Sequence, residues 1–367
     1  MRGGAERRGG GHMDIKLAAT YLGTVVGAGF ASGQEHLHFF VGFSSKGNLG
    51  VLLAGLLFIV FGVLLADLAS RHGTSSPEEL LALVAGRALV RALDWLLTVF
   101  MFCSLCIMLS GSGALFREQA GLAAELGMAI TAAVTLIAST RGAAGLLSIN
   151  ALLAPLLLGV PVTVAAISLI RAGCGVLPPP YVRAAERASG NLLLPAWPVS
   201  SVVYVSYNLL LAFAAFASMG EELEDTRTAR RGAALGGAVL LIFLAAIHVT
   251  LMLHGEEVWR TEVPMLLAAS RLGAAFRLAY SAVLWVAMIT TAAAGGFAMS
   301  RRLAKRLRVS QQTLAAVVTL AAALVARIGF ARLVGRVYPA FGYLGLPLVL
   351  GLAAAYVRER LTITILT

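Results

Sequence analysis

Ten stretches of roughly 20 mostly apolar residues recur along this 367-residue chain, and they limit what it can fold into more than any single motif does. They lie at residues 15–42, 48–70, 91–115, 121–140, 144–171, 198–220, 232–254, 272–300, 311–330 and 338–357. About 20 apolar residues coiled as an α-helix span the ~30 Å hydrocarbon core of a bilayer. Lipid offers no hydrogen bonds, so each segment must satisfy its own backbone, which a helix does. Composition agrees: 59% of residues are hydrophobic and 13% are charged, against about 25% charged in soluble domains. The expected fold class is an all-α polytopic membrane protein with ten transmembrane helices and the lipid bilayer as its solvent.

Ten spans divide as five plus five, and an odd number per half inverts the second half relative to the first. Inverted repeats of this kind hold solute and ion sites at the interface of the halves in many secondary transporters. The longest connector contains Pro178-Pro179-Pro180 and falls between the fifth and sixth runs. The resulting division is a disordered basic tail over 1–14, a first five-helix repeat over 15–171, an extracytoplasmic connector over 172–197, a second repeat over 198–360 and a C-terminal tail over 361–367. The tail lacks an apolar core and is not a signal peptide; Met13 is an alternative start.

The net charge of +11 would suggest nucleic acid in a soluble protein. Here the bases sit in short segments between apolar runs, so they read as topology signals instead. With both termini cytoplasmic, 18 of the 29 Lys and Arg fall on the inside, and Arg301 to Arg308 is the strongest cluster. The expected location is a bacterial cytoplasmic membrane. Cys103, Cys106 and Cys174 suggest neither a disulfide framework nor a zinc site. No catalytic cluster or cofactor loop is present, so the chain is not read as an enzyme.

The first run contains Gly23, Gly27, Gly29 and Gly33 within eleven residues. Each glycine costs a helix interior about 1 kcal/mol relative to alanine. Unwinding is expected near Val26 to Gly29, freeing carbonyls for a cation and amides of Gly27, Ala28 and Gly29 for a solute carboxylate. Close helix packing in lipid is the other use of such glycines. In the sixth run, Ser206, Tyr207 and Asn208 form the polar interruption where a second break and further solute contacts are expected; an interhelical hydrogen bond is the alternative. Phe30-Ala31-Ser32-Gly33-Gln34-Glu35 also resembles Phe216-Ala217-Ser218-Met219-Gly220-Glu221, as a repeat would. Thr290-Thr291 in the eighth run offer hydroxyl oxygens to a hard cation such as sodium, or bond back to their own helix. Glu35 is the candidate for proton coupling or gating, or else an outward-facing group on the vestibule wall. Asp67 and Asp94 are expected to pair with bases, and His36 and His38 lie on different helix faces.

Gly23-Thr24-Val25-Val26-Gly27-Ala28-Gly29-Phe30-Ala31-Ser32-Gly33-Gln34-Glu35 resembles the opening signature of the YkvI-like bacterial amino-acid permeases, within the amino acid–polyamine–organocation superfamily. Tyr207-Asn208 fits the same family. The resemblance implies a LeuT-type fold with the first and sixth helices broken at the solute site. It also implies a sodium site formed by the carbonyls of Gly23 and Val26 with the hydroxyls of Thr290 and Thr291. The glycine-rich break typical of the sixth helix is missing here. The expected function is secondary transport of a small amino acid or related solute, coupled to sodium or protons. The alternative is a non-transporting membrane receptor of the same fold.

Overall fold

The computed structural model describes residues 6–141, 144–175, 193–223 and 225–366, and the regular structure among them is helical. Pro178-Pro179-Pro180 and Arg2 lie outside the described residues. The first apolar run is carried by three pieces: α1 (Glu6–Val25), α2 (Ala28–Ser32) and α3 (Gln34–Phe39). Then follow α4 (Ser45–His72), α5 (Pro77–Ala120), α6 (Ala124–Arg141) and α7 (Ala144–Gly173). The second half holds α8 (Trp197–Met219), α9 (Thr226–His254), the short α10 (Pro264–Ser270), α11 (Ala274–Leu307), α12 (Gln311–Ala326) and α13 (Phe330–Leu366).

Among the described residues, six stretches are long and apolar enough to cross a membrane: Ser45–His72, Val90–Ala120, Trp197–Glu222, Thr226–Arg260, Ala274–Leu307 and Phe330–Glu359. Their outer sides keep large apolar side chains exposed, among them Leu52, Leu56 and Val60 on α4 and Leu235 and Ile242 on α9. Local signals set the ends. Pro77 opens α5, where Ser76 caps the amide of Glu79 and Glu79 reaches back to the amide of Ser75 at 2.9 Å. Asp225 caps α9 by accepting from the amides of Arg227 and Thr228 at 3.0 and 3.1 Å.

Three expectations are corrected. Residues 6–14, expected within a disordered tail, are part of α1, and residues 361–366, expected as a tail, are part of α13. At the C-terminal end each further residue adds one hydrogen bond for one residue fixed, so α13 propagates past the apolar run; in α1 the helix continues despite Gly9, Gly10 and Gly11. The sixth run is also unbroken at Ser206, Tyr207 and Asn208: α8 is continuous from Trp197 to Met219. Asn208 satisfies its own amide by donating to the Tyr204 carbonyl one turn back at 2.9 Å. No glycine weakens α8 before Gly220, where the chain tightens into a 3₁₀ turn over Gly220–Glu222.

The helices pack as two groups. α1, α4, α8 and α9 contact one another, and α5, α6, α11 and α12 form the other set, while α13 leans on α8, α5 and α4. Small residues bring the first group close. The Tyr21 ring of α1 sits between Gly62 of α4 and Gly236 of α9, where an added Cβ would lie 2.7 and 3.0 Å from it. Its hydroxyl donates to the Phe58 carbonyl at 2.9 Å. Close approach through glycine is the usual device of helix packing in lipid.

Candidate functional site

The site begins where α1 stops. Gly27 is extended (φ −102°, ψ −175°), and its amide bonds to the Val25 carbonyl at 3.0 Å instead of reaching back to Gly23. Among the hydrogen bonds outside the helices, none joins Ala28 to Thr24 or Phe30 to Val26, so the carbonyls of Gly23, Thr24 and Val26 lose their helical partners. A Cβ at Gly23 or Gly27 would meet nothing within 4 Å. Helix packing therefore does not require glycine at either position, and unwinding accounts for them.

Beyond α2 the chain turns at Gly33, in the left-handed region (φ 82°, ψ −7°) that glycine adopts without strain. The turn brings Glu35 back over Gly29. A Cβ on Gly29 would collide with Glu35 Oε1 and lie 3.1 Å from the Tyr338 hydroxyl. Glu35 is buried, and its Oε2 accepts a hydrogen bond from the Tyr207 hydroxyl of α8. The Tyr207 and Tyr338 rings stack with centroids 4.8 Å apart and planes 9° from parallel. From the second group, the Tyr280 hydroxyl of α11 donates to the Ala31 carbonyl.

These groups face a cavity of about 390 Å³ between the two helix groups. Its walls are Gly23, Thr24, Val25, Gly27, Ala28, Gly29 and Glu35 from the broken helix, and Phe100, Met101, Ser104 and Met108 from α5. Tyr207, Asn208 and Leu211 come from α8, Thr290, Thr291, Ala294, Gly295 and Ala298 from α11, and Tyr338 from α13. The volume is in the range of about 300–1,000 Å³ usual for small-molecule sites. Glu35, Tyr207, Asn208, Tyr338 and Met108 are buried, whereas Gly23 and Ala294 are exposed and Thr24, Met101, Leu211 and Ala298 are half-buried. The cavity thus opens toward the end of the bundle that carries the N-terminus of α1 and the basic C-terminal turns of α11.

Of the residues singled out in the sequence, Gly23, Gly27, Ala28, Gly29, Glu35, Tyr207, Asn208, Thr290 and Thr291 come together at this cavity. Two do not line it. Val26 has its side chain buried elsewhere. Ser206 points at α13, where a Cβ on Gly345 would lie 2.7 Å from its Oγ. α8 is a regular helix, so three successive residues fan over about 200° and 206, 207 and 208 cannot all face one cavity. The Thr290 hydroxyl donates to the Ala287 carbonyl at 3.0 Å, the back-bonded arrangement. His36 is buried against Phe30 at 5.1 Å between ring centroids, and His38 meets Gln34 at 3.3 Å, so the two rings serve different surroundings. Asp67 holds Arg230 at 2.7 Å, with Arg71 an ion-pair partner 3.0 Å from Oδ2 that lacks hydrogen-bond alignment. Asp94 holds Arg302 and Arg306 at 2.6 and 2.5 Å.

Sequence reasoning missed Tyr338, Phe100, Met101, Ser104 and Met108. The available signal for Tyr338 was its place before Pro339, inside an apolar run, where a hydroxyl in lipid needs a partner. The α5 residues carry no signal that separates them from ordinary core.

An all-helical protein with several apolar spans and a solute-sized cavity at a broken helix defines a class, and comparison with known proteins agrees. The chain is similar to "Inward facing conformation of Mhp1" (TM-score 0.56, 16% identity, 94% of this chain and 76% of that one) and to MhsT in complex with L-phenylalanine (0.58, 16%, 93% and 87%). It is also similar to the manganese transporter of Eremococcus coleocola (0.58, 13%, 95% and 80%). The fold is that of these LeuT-fold structures. In sequence it is similar to the uncharacterized membrane protein YkvI of Bacillus subtilis (strain 168), 29% identical over 337 residues that cover 91% of this chain and 93% of that protein. The uncharacterized protein YyaD of the same organism is 24% identical over 338 residues, 91% and 94% of the two chains. No family model matches the chain.

Proposed function

We propose that this protein is a secondary transporter of the bacterial cytoplasmic membrane. It moves a small amino acid or related solute by alternating access, coupled to sodium or to protons. The observation that carries the reading is the broken first helix lining a cavity between two separately packed helix groups. In this reading the ten apolar runs are ten spans in an inverted five-plus-five repeat, with both termini inside, as the basic turns at one end favour. The group of α1, α4, α8 and α9 rocks against that of α5, α6, α11 and α12. Among proteins of similar fold, one is a transporter, one is described in an inward-facing conformation and one holds L-phenylalanine, which supports the same reading.

The solute binds beside Gly27, Ala28, Gly29, Tyr207 and Asn208. A sodium ion would lie against the unpaired carbonyls of Gly23 and Val26, with Thr290 and Thr291 opposite. A back-bonded hydroxyl still presents lone pairs to a cation. Glu35 is the group whose protonation would couple to movement. The test is uptake of labelled amino acids and amines into proteoliposomes under an imposed sodium gradient, a proton gradient and none. Uptake driven by one gradient supports the proposal and names the ion. Folded protein that gives no uptake of any solute under any gradient overturns it. If sodium drives uptake, Thr291→Ala should weaken the sodium dependence sharply, and unchanged dependence would remove the ion site.

A further inference from the structure

Two acids are buried among the described residues, Glu35 and Asp67, and the chain treats them differently. Asp67 is fully buried and lies between two arginines. Glu35 is 4% exposed and makes no ion pair among the described residues. A buried carboxyl without a compensating charge is costly, and a partner for it stabilises the protein. For Glu35 the open side is the cavity. Among the residues that line the cavity, Glu35 alone bears a carboxyl group, and Lys, Arg and His are absent.

The surroundings specify what a partner looks like. Oε2 is held by the Tyr207 hydroxyl, and Oε1 lies against the bare Cα of Gly29. The stacked Tyr207 and Tyr338 rings stand beside the carboxyl, and the Phe100 ring is 6.3 Å from that of Tyr338. Aromatic faces attract ammonium groups, more strongly when both are desolvated. Of the remaining walls, Met101, Met108, Leu211 and Ala294 are apolar and suit a hydrocarbon body, while Thr24, Ser104, Asn208, Thr290 and Thr291 add only neutral polar groups.

Resting on the transport reading above, we infer that the group recognised in this cavity is an organic ammonium docked on Glu35, and that a carboxylate on the solute is dispensable. The substrate class is a small monocationic amine with an apolar body. A zwitterionic amino acid binds through its ammonium alone. An anion of the same shape meets an acid and no basic side chain, so it is rejected.

The test is a matched set of probes on the purified full chain in nanodiscs, by calorimetry at neutral pH, where an alkylamine is charged as lysine is. The probes are butylamine, norvaline and valerate, which share a hydrocarbon body and differ in charge. Butylamine should bind within about tenfold of norvaline or tighter, and valerate about a hundredfold weaker or not at all. Glu35→Gln should weaken butylamine by about a hundredfold. Butylamine that fails to bind, valerate that binds as well as norvaline, or a Glu35→Gln protein that keeps its butylamine affinity would each overturn the inference. If that variant does not fold, the ranking on the unaltered protein decides. Labelled butylamine and norvaline in proteoliposomes separate the two levels. Butylamine binding without flux of either solute supports the ammonium site and overturns the transport reading. Norvaline flux without butylamine binding does the reverse.

Discussion

Four glycines that look alike in the first run differ sharply in what they do, and replacing two of them by alanine tests this. At Gly33 the backbone is left-handed, which costs an L-residue about 1–2 kcal/mol. The new Cβ would also lie 2.9 Å from Met265 Cγ, and Met265 is fully buried on α10. Overpacking costs about 1–3 kcal/mol, and the flexible methionine favours the low end. Gly33→Ala should therefore destabilise by about 2–3 kcal/mol. Gly27 has an ordinary negative φ and open space around its Cβ position. Alanine there restricts the unfolded chain and stays within about 1 kcal/mol of the unaltered protein. Denaturant titration in mixed micelles, read through tryptophan fluorescence, measures both. A Gly33→Ala protein within about 0.5 kcal/mol of the unaltered one, or no more destabilised than Gly27→Ala, would refute the account of the α2–α3 turn.

Two further outcomes are expected. Asp225→Ala removes the cap of α9 and should cost about 1 kcal/mol. The amide of Arg227, and after it the hydroxyl of Thr228, hold the Asp225 carboxyl below its ordinary range. Its contribution is therefore complete above the unfolded value near 3.9 and is lost as pH falls through the lower folded value. The acid limb of the stability curve should flatten in the variant, and identical acid limbs would count against the cap. Asp67→Asn leaves Arg230 and Arg71 facing an amide at the junction of α4 and α9; because both arginines are part-exposed, the loss should lie near the low end of the buried-pair range, about 3 kcal/mol, by the same titration. A loss under about 1 kcal/mol would show that the pair contributes as little as a surface bridge.

The sequence carried the helical class because apolar run length reports directly on bilayer thickness, and it carried the first break because four glycines concentrate a measurable cost within eleven residues. It misplaced the second break for an equally physical reason. A polar residue weakens a helix only when it lacks a partner, and Asn208 finds one at the Tyr204 carbonyl within its own helix. The nine site residues that do converge come from α1–α3, α8 and α11, elements up to 268 positions apart (Gly23 to Thr291). Tyr338 and the α5 wall were illegible because their contribution depends on tertiary placement, not on any local pattern.

The polar contacts also show which way the two helix groups are parted. At the end bearing the basic turns, the ion pairs among the described residues stay within one group or reach α13, as His72 of α4 does to Glu359. Lys16 meets Glu222 beyond α8, Asp67 joins α4 to α9, and Asp94 joins α5 to α11. At the opposite end the bonds cross between groups. The Glu262 amide, in the link after α9, donates to Glu118 of α5 at 2.5 Å, and Arg117 lies 3.4 Å from the Glu262 carboxyl. The Tyr280 hydroxyl of α11 reaches the Ala31 carbonyl above the cavity. The groups are thus tied at one end and untied at the end where Gly23 and Ala294 are exposed. If the basic end is cytoplasmic, this is an inward-facing arrangement. Under the alternating access proposed above, opening the other face would break the bonds of Glu262 to α5 and of Tyr280 to the broken helix.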